Sequence, residues 1–243
     1  MLKAVGIVGY KNSGKTTLTK ALARELTDRG YKVAVIKHTS HPLDVEGKDT
    51  AILGNAVGQV AVISSQESAI LWKRPLSLED IIPYLDADFI LVEGFKAEKT
   101  FPKIVCLRGE PDDRDLFDSL AICAVFPPSQ ESAGWEGRAL DVPLLARDEI
   151  SRIADLVERE AFKLPNLDCG GCGRETCYEM AREIVAGTAS VEDCVSLQPA
   201  TEVRIDGRPM PMNSFISGIV RSTILGVLAP LKGFKKGKIE ISI

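Results

Sequence analysis

Short runs of β-branched and aliphatic residues alternate with segments of helical periodicity through the first two thirds of the chain, and this predicts a mostly parallel sheet flanked by helices. The predicted strands are Ala4 to Val8, Lys32 to Lys37, Gln59 to Ser64, Phe89 to Val92, Lys103 to Leu107 and Ala121 to Phe126. Most are apolar without alternation, as strands covered on both faces should be. Leu18, Ala21, Leu22 and Leu26 form one helix face, and Gly30 stands where a left-handed cap would end that helix. Ser77 with Asp80 predicts a capping box for a helix running toward Leu85. Ile150, Ile153, Ala154 and Val157 predict a last helix starting near Asp148.

After Phe162 the pattern changes. Residues 163–168 read as a linker into a cysteine-rich window, with a helix from Glu179 to Ala186 closed by Gly187, and Pro199 as its exit. Glu202 to Asp206 and Arg208 to Met212 flank Gly207, a hairpin signal. Asn213 or Ser214 then caps a helix whose Phe215, Ile216, Ile219, Val220, Ile224, Leu225 and Leu228 fall largely on one face. The tail carries Lys235, Lys236 and Lys238, a solvated strand end or a weak anion patch. The expected division is an α/β domain over 1–162, a cysteine module over 166–198 and a hairpin-helix tail over 199–243.

The chemistry of the first part lies in Gly9-Tyr10-Lys11-Asn12-Ser13-Gly14-Lys15-Thr16, which satisfies G-x-x-x-x-G-K-[ST] between a predicted strand and a predicted helix. The glycines let the backbone fold around phosphates, and the helix N-terminus adds partial positive charge. Lys15 is expected to reach the β- and γ-phosphates and the Thr16 hydroxyl to ligate Mg²⁺. Thr17 follows in the same turn. Glu93, ending a buried strand, is the expected acid for the metal, the alternative being an acid that merely ends a strand. His38 and His41, the only histidines, follow the second strand. Their spacing is poor evidence for a metal, but the loop is expected to face the triphosphate. Asp44 and Asp49 are candidates for positioning Mg²⁺ or the attacking water, with surface acids as the alternative. No Asn-Lys-x-Asp or Thr-Lys-x-Asp occurs, so no familiar guanine reader is present.

Composition changes the picture in one respect. The 243 residues, 45% hydrophobic with a net charge of −4, exclude a disordered chain and give no sign of nucleic-acid binding. No stretch is long and apolar enough for a membrane span and no signal segment is seen, so a cytoplasmic protein is expected. Six cysteines, however, are distributed unevenly. Cys106 and Cys123 stand alone in apolar runs and read as buried structural residues. Cys169, Cys172, Cys177 and Cys194 form C-x2-C-x4-C-x16-C, interleaved with Gly170, Gly171 and Gly173. Three thiolates wrapped around glycines suit a [4Fe-4S] cluster, whose sulfides accept backbone hydrogen bonds. Zinc is the alternative, although it favours two short hooks, and free or redox thiols are a third.

The ordered set Gly9 to Thr17, Lys37-His38-x-x-His41-x-x-Asp44, Gly47-Lys48-Asp49-Thr50, Glu93-Gly94-Phe95-Lys96 and Pro102-Lys103 resembles the MobB-type adaptors of molybdopterin-guanine dinucleotide biosynthesis over residues 1–162. The resemblance implies a P-loop NTPase fold and a weakly hydrolysing GTP-binding protein, commonly a homodimer. It would assist the guanylyltransferase that joins GMP to molybdopterin, or a molybdoenzyme. By position, Gly9 to Thr17 would hold phosphate, Thr16 and Glu93 would serve Mg²⁺, and His38, Asp44 and Asp49 would line the nucleotide loop. Residues 166–198, with Ala181 and Gly187, resemble a small iron–sulfur domain of corrinoid-linked carbon-monoxide/acetyl-CoA enzymes and of an Rnf-type electron-transport subunit. The plain adaptor lacks that module. An iron–sulfur electron-transfer or metallocentre-assembly NTPase is therefore the second reading. A small-molecule kinase is a third, weakened because only Arg108 and Arg114 lie near a loop as lid candidates.

Overall fold

The computed structural model describes residues 2–45, 47–127, 142–197, 201–210, 212–234 and 239. The lysines at 235, 236 and 238 and Pro199 lie outside the described residues. Two units are distinguished: residues 1–98 with 102–162, and residues 99–101 with 163–243.

The first unit runs β1 (Lys3–Gly9), α1 (Lys15–Asp28), β2 (Val33–Lys37), α2 (Asp49–Ala56), β3 (Gln59–Ile63), β4 (Ser68–Trp72), α3 (Leu78–Ile81), β5 (Phe89–Glu93), β6 (Lys103–Cys106), β7 (Ala121–Phe126), β8 (Leu144–Ala146) and α4 (Ile150–Glu160). Six strands form one parallel sheet in the order β2-β5-β1-β6-β7-β8. Its centre is fully covered, since every residue of β5, β6 and β7 is buried. Removing a Leu or Ile side chain from water contributes about 1.5–3 kcal/mol, so these continuous apolar runs anchor the sheet. Leu18, Leu22 and Leu26 of α1 are wholly buried, as are Ile153, Ala154 and Val157 of α4, in agreement with the sequence stripes. Gly30 adopts φ +94° just beyond α1 and ends it there.

One expected strand of the first unit needs correction. The run from Gln59 is not part of the parallel sheet: β3 pairs antiparallel with β4, whose Ser68–Trp72 the sequence pattern did not single out. Ser64 belongs to the turn, its N–H bonding Glu67 O at 2.9 Å. Most of β3 is not buried, so the lack of alternation did not here signal a strand covered on both faces. The capping box at Ser77 and Asp80 forms, but α3 stops at Ile81 and continues to Tyr84 as a 3₁₀ turn containing Pro83.

The second unit contains α5 (Cys177–Val185), the short antiparallel pair β9 (Arg204–Ile205) and β10 (Arg208–Pro209), and α6 (Ser214–Leu228). Asp206 and Gly207 at φ +51° and +74° supply the two left-handed residues of a tight hairpin turn. Asn213 caps α6 by accepting from Ile216 N–H at 2.9 Å. The expected face of α6 is covered only in part: Ser217 is buried and Val220, Ile224, Leu225 and Leu228 are half-buried, while Phe215, Ile216 and Ile219 are exposed. Residues 99–101 are held by the segment after 162, with Leu164 N–H donating to Thr100 O at 2.9 Å and the buried Lys163 ammonium to Thr100 Oγ1 at 3.0 Å. Among the described residues no helix is long and apolar enough to cross a membrane.

Candidate functional site

The loop between β1 and α1 folds as its glycines require. Asn12 and Gly14 take φ +64° and +78°. A Cβ on Gly9 would fall 2.3 Å from Ser13 Oγ and 2.9 Å from Cys106 O, so only glycine fits that contact. Lys11, Asn12, Gly14, Lys15, Thr16, Thr17 and Glu93 line a cleft of about 450 Å³. The Lys15 ammonium curls onto Tyr10 O at 2.6 Å, and burial lowers its pKa, with Glu93 acting in the opposite sense. Anionic ligand in the cleft would favour the charged form.

Beside Lys15 the ends of three elements converge. Thr16 Oγ1 donates to Glu93 Oε1 at 2.9 Å, and the Lys37 ammonium donates to the same Oε1 at 2.7 Å and to Thr16 Oγ1 at 3.1 Å. Burial pushes the Glu93 carboxyl up, but its hydrogen bonds with Lys37 and Thr16 outweigh that and hold it below its ordinary range. A cation between these oxygens is therefore electrostatically welcome, and Thr16 with Glu93 fits the oxygen-ligand chemistry of Mg²⁺. Gly94 is needed next to Glu93: it has φ +95°, and a Cβ there would fall 2.9 Å from the Cβ of His38.

The remaining candidates are less concentrated. His38 is exposed, stacks edge-on against Phe95 with centroids 5.1 Å apart, and gives its N–H to Glu93 O at 2.9 Å. His41 is exposed in the same loop. Asp44 accepts from Thr50 Oγ1 at 2.7 Å and Lys73 Nζ at 2.9 Å, contacts that lower its pKa, and it does not line the cleft. Asp49 is exposed at the first turn of α2. Arg108 meets Asp112 and Asp113 rather than forming a lid.

The sequence assigns no role to three cations that the structure brings near the phosphate loop. Lys37 ends β2 directly opposite Glu93 at the end of β5, a register that no spacing reveals. Lys96 lies 3.8 Å over the Tyr10 ring, with the Arg108 guanidinium 4.4 Å from the same ring. Burial and the Arg108 charge lower the Lys96 pKa. Arg147 follows β8, a three-residue strand too short to show in the pattern, and donates to Ser13 O at 2.7 Å.

In the second unit, Cys177 opens α5 and its N–H is held by Asp168 Oδ1 at 2.5 Å. Cys177 and Cys194 are buried, Cys169 and Cys172 partly exposed. The Cys194 thiol is pushed up chiefly by burial, with the Cys177 and Cys172 charges acting in the same sense. Cys169 Sγ lies 3.3 Å from Ser196 Oγ. Asp168, Gly170 and Gly173 take φ of +42°, +68° and +82°, so the loop curls through left-handed positions around the first two cysteines. Among the described residues no three His, Cys, Asp or Glu side chains are gathered tightly enough to hold a metal ion. The four-thiol donor set itself suits an iron–sulfur cluster or zinc.

A parallel sheet with a glycine loop opening the helix after its central strand, and a threonine and a strand-end acid at the cleft, defines a P-loop nucleotide-binding fold. Residues 4–126 match the family model "Molybdopterin guanine dinucleotide synthesis protein B", and residues 164–196 match "Putative Fe-S cluster". The chain belongs to the MobB family of molybdopterin-guanine dinucleotide biosynthesis adapter proteins. It is 31% identical to a "Putative molybdopterin-guanine dinucleotide biosynthesis adapter protein" of Methanocaldococcus jannaschii, over all of this chain and 98% of that one. Against the Escherichia coli adapter protein the identity is 33%, over 65% of this chain and 92% of that one. The crystal structure of Bacillus subtilis MobB covers 65% of this chain and 100% of its own at a TM-score of 0.53 and 23% identity, a likeness of fold.

Proposed function

We propose that the protein binds GTP with Mg²⁺, hydrolyses it slowly, and assists the attachment of GMP to molybdopterin by a guanylyltransferase. The cleft carries this reading, because it brings Lys15, Thr16 and Glu93 together beneath a loop shaped for phosphate. Lys15 would leave Tyr10 O to neutralise charge on the β- and γ-phosphate oxygens, while Thr16 and Glu93 would hold Mg²⁺ or its waters. In hydrolysis, water attacks the γ-phosphorus and the bond to the bridging oxygen breaks, giving GDP and phosphate. GTP should bind at least about tenfold more tightly than ATP, or about 1.4 kcal/mol. Lys15→Ala should abolish binding and turnover with the fold intact; equal affinity for the two nucleotides or unchanged turnover would overturn the reading.

The exposed apolar side chains of Ile52 and Leu53 on α2, Val57 just after it and Ile63 on β3 are consistent with a homodimer formed through this part of the first unit. Cys169, Cys172, Cys177 and Cys194 would hold a [4Fe-4S] cluster, which supplies one-electron chemistry or a structural staple when bound. Anaerobic protein should then contain about four irons and four sulfides; one zinc without sulfide would replace that assignment. The four-thiol module favours one second reading, an iron–sulfur electron-transfer or metallocentre-assembly NTPase. An anaerobic pull-down with nucleotide separates the two: a guanylyltransferase or molybdoenzyme supports the adaptor, electron-transfer proteins the alternative. The cytoplasm is the proposed compartment.

A further inference from the structure

We propose that Arg147 reads the nucleoside end of the bound nucleotide and favours a base that presents a carbonyl oxygen, as guanine does, over one that presents an amino group. The inference rests on nucleotide binding in the phosphate loop as proposed above. A nucleoside triphosphate is a line, with metal-bridged phosphates at one end and the base at the other. The metal end would be placed by Thr16 and Glu93, and the strand that brings Glu93, β5, lies with β2 on one side of β1. The nucleoside therefore leaves toward the opposite side, where β6, β7 and β8 stand.

Arg147 approaches the phosphate loop from that side. Its Nη2 bonds Ser13 O at 2.7 Å, and its guanidinium lies against Gly14, where a Cβ would fall 2.2 Å from Nη1 and 2.3 Å from Cζ. The Nε–H is buried without a hydrogen-bond partner among the described residues, and no described carboxylate pairs with the side chain. A charged fork held against the phosphate loop with one donor satisfied is poised for an acceptor that no described residue supplies. Guanine presents two adjacent acceptors, O6 and N7, whereas adenine places an amino donor beside N7 and so repels a fork of N–H groups. The chain contains no Asn-Lys-x-Asp or Thr-Lys-x-Asp, so selection of guanine calls for another residue.

Equilibrium binding of GTP, ITP, ATP and inorganic tripolyphosphate, each with Mg²⁺, to the full chain and to Arg147→Ala and Arg147→Lys tests the proposal. Both variants should lose at least about tenfold for GTP and ITP while ATP and tripolyphosphate change less than about threefold, at unaltered circular dichroism. Arg147→Lys keeps a cation against the loop, so it remains informative if Arg147→Ala folds poorly. Equal loss for all four ligands would make Arg147 a brace of the loop only. Loss for all three nucleotides with tripolyphosphate spared would place it on the ribose or α-phosphate, and no loss would remove it from the site; each of these overturns the base reading. Failure of the unaltered chain to bind any ligand, or indifference of all four to Lys15→Ala, would instead defeat nucleotide binding and this proposal with it.

Discussion

Lys37 and Glu93 end adjacent parallel strands in direct register, and their side chains meet at 2.7 Å with the Thr16 hydroxyl beside them. The ammonium thus lies where a divalent cation held by Thr16 and Glu93 would compete with it. Lys37→Ala should lower the Mg²⁺ concentration needed for half-maximal nucleotide binding, read by titration at fixed GTP. An unchanged or higher requirement would show that the lysine assists the metal.

The same pair sets a pH dependence. Glu93 is held below its ordinary carboxylate range, so its stabilisation is present above the unfolded value of about 4.3 and is lost as pH falls through the folded value. The melting temperatures of the unaltered chain and Glu93→Gln should differ at pH 7 and converge in acid. A difference constant with pH would mean that ionisation of Glu93 does not contribute.

Gly14 combines a left-handed backbone with the Arg147 guanidinium packed on its open face. Gly14→Ala should cost about 1–2 kcal/mol from the backbone conformation alone, with further loss from displacing Arg147. Thermal melts should fall accordingly, and nucleotide binding should weaken beyond what the melt predicts. Retained affinity would show that the loop re-forms without its brace.

Burial pushes the Cys106 and Cys123 thiols up to about 12, so both remain protonated and unreactive at any pH where the fold persists. After treatment with a metal chelator, alkylation at pH 8 followed by mass spectrometry should spare these two until denaturant is added. Early labelling of either would contradict its burial.

Asp44 is engaged by Lys73 and Thr50 away from the cleft lining. Asp44→Asn and Lys73→Met should therefore share one phenotype: faster proteolysis around residues 43–57 and the same modest change in hydrolysis. A much larger loss of turnover in Asp44→Asn would assign the carboxylate to the reaction.

Most of the sheet was legible because buried parallel strands such as Phe89–Glu93 are continuous apolar runs, and the phosphate loop because glycine, lysine and threonine must occur there in fixed order. β4 and β8 were not: the first is largely exposed, and the second has three residues, too few for any period. The site divides in the same way. Thr16 and Glu93 could be named from local rules, whereas Lys37 and Arg147 are brought to the phosphate loop only by strand register and by a contact spanning 134 positions. Asp44 had the right residue type in a promising loop, but pairing with Lys73 is a tertiary event that no local pattern encodes.

Residues 99–101 lie between β5 and β6 in sequence yet belong with the segment after 162. The cysteine-bearing unit is consequently discontinuous, and no single cut in the gene releases it whole. On the ribosome its first three residues emerge some sixty positions before Lys163 and Leu164, their hydrogen-bonding partners. Assembly of that unit must wait for chain made after the strands of the parallel sheet, and a truncation at 162 would remove both groups that bond Thr100 here.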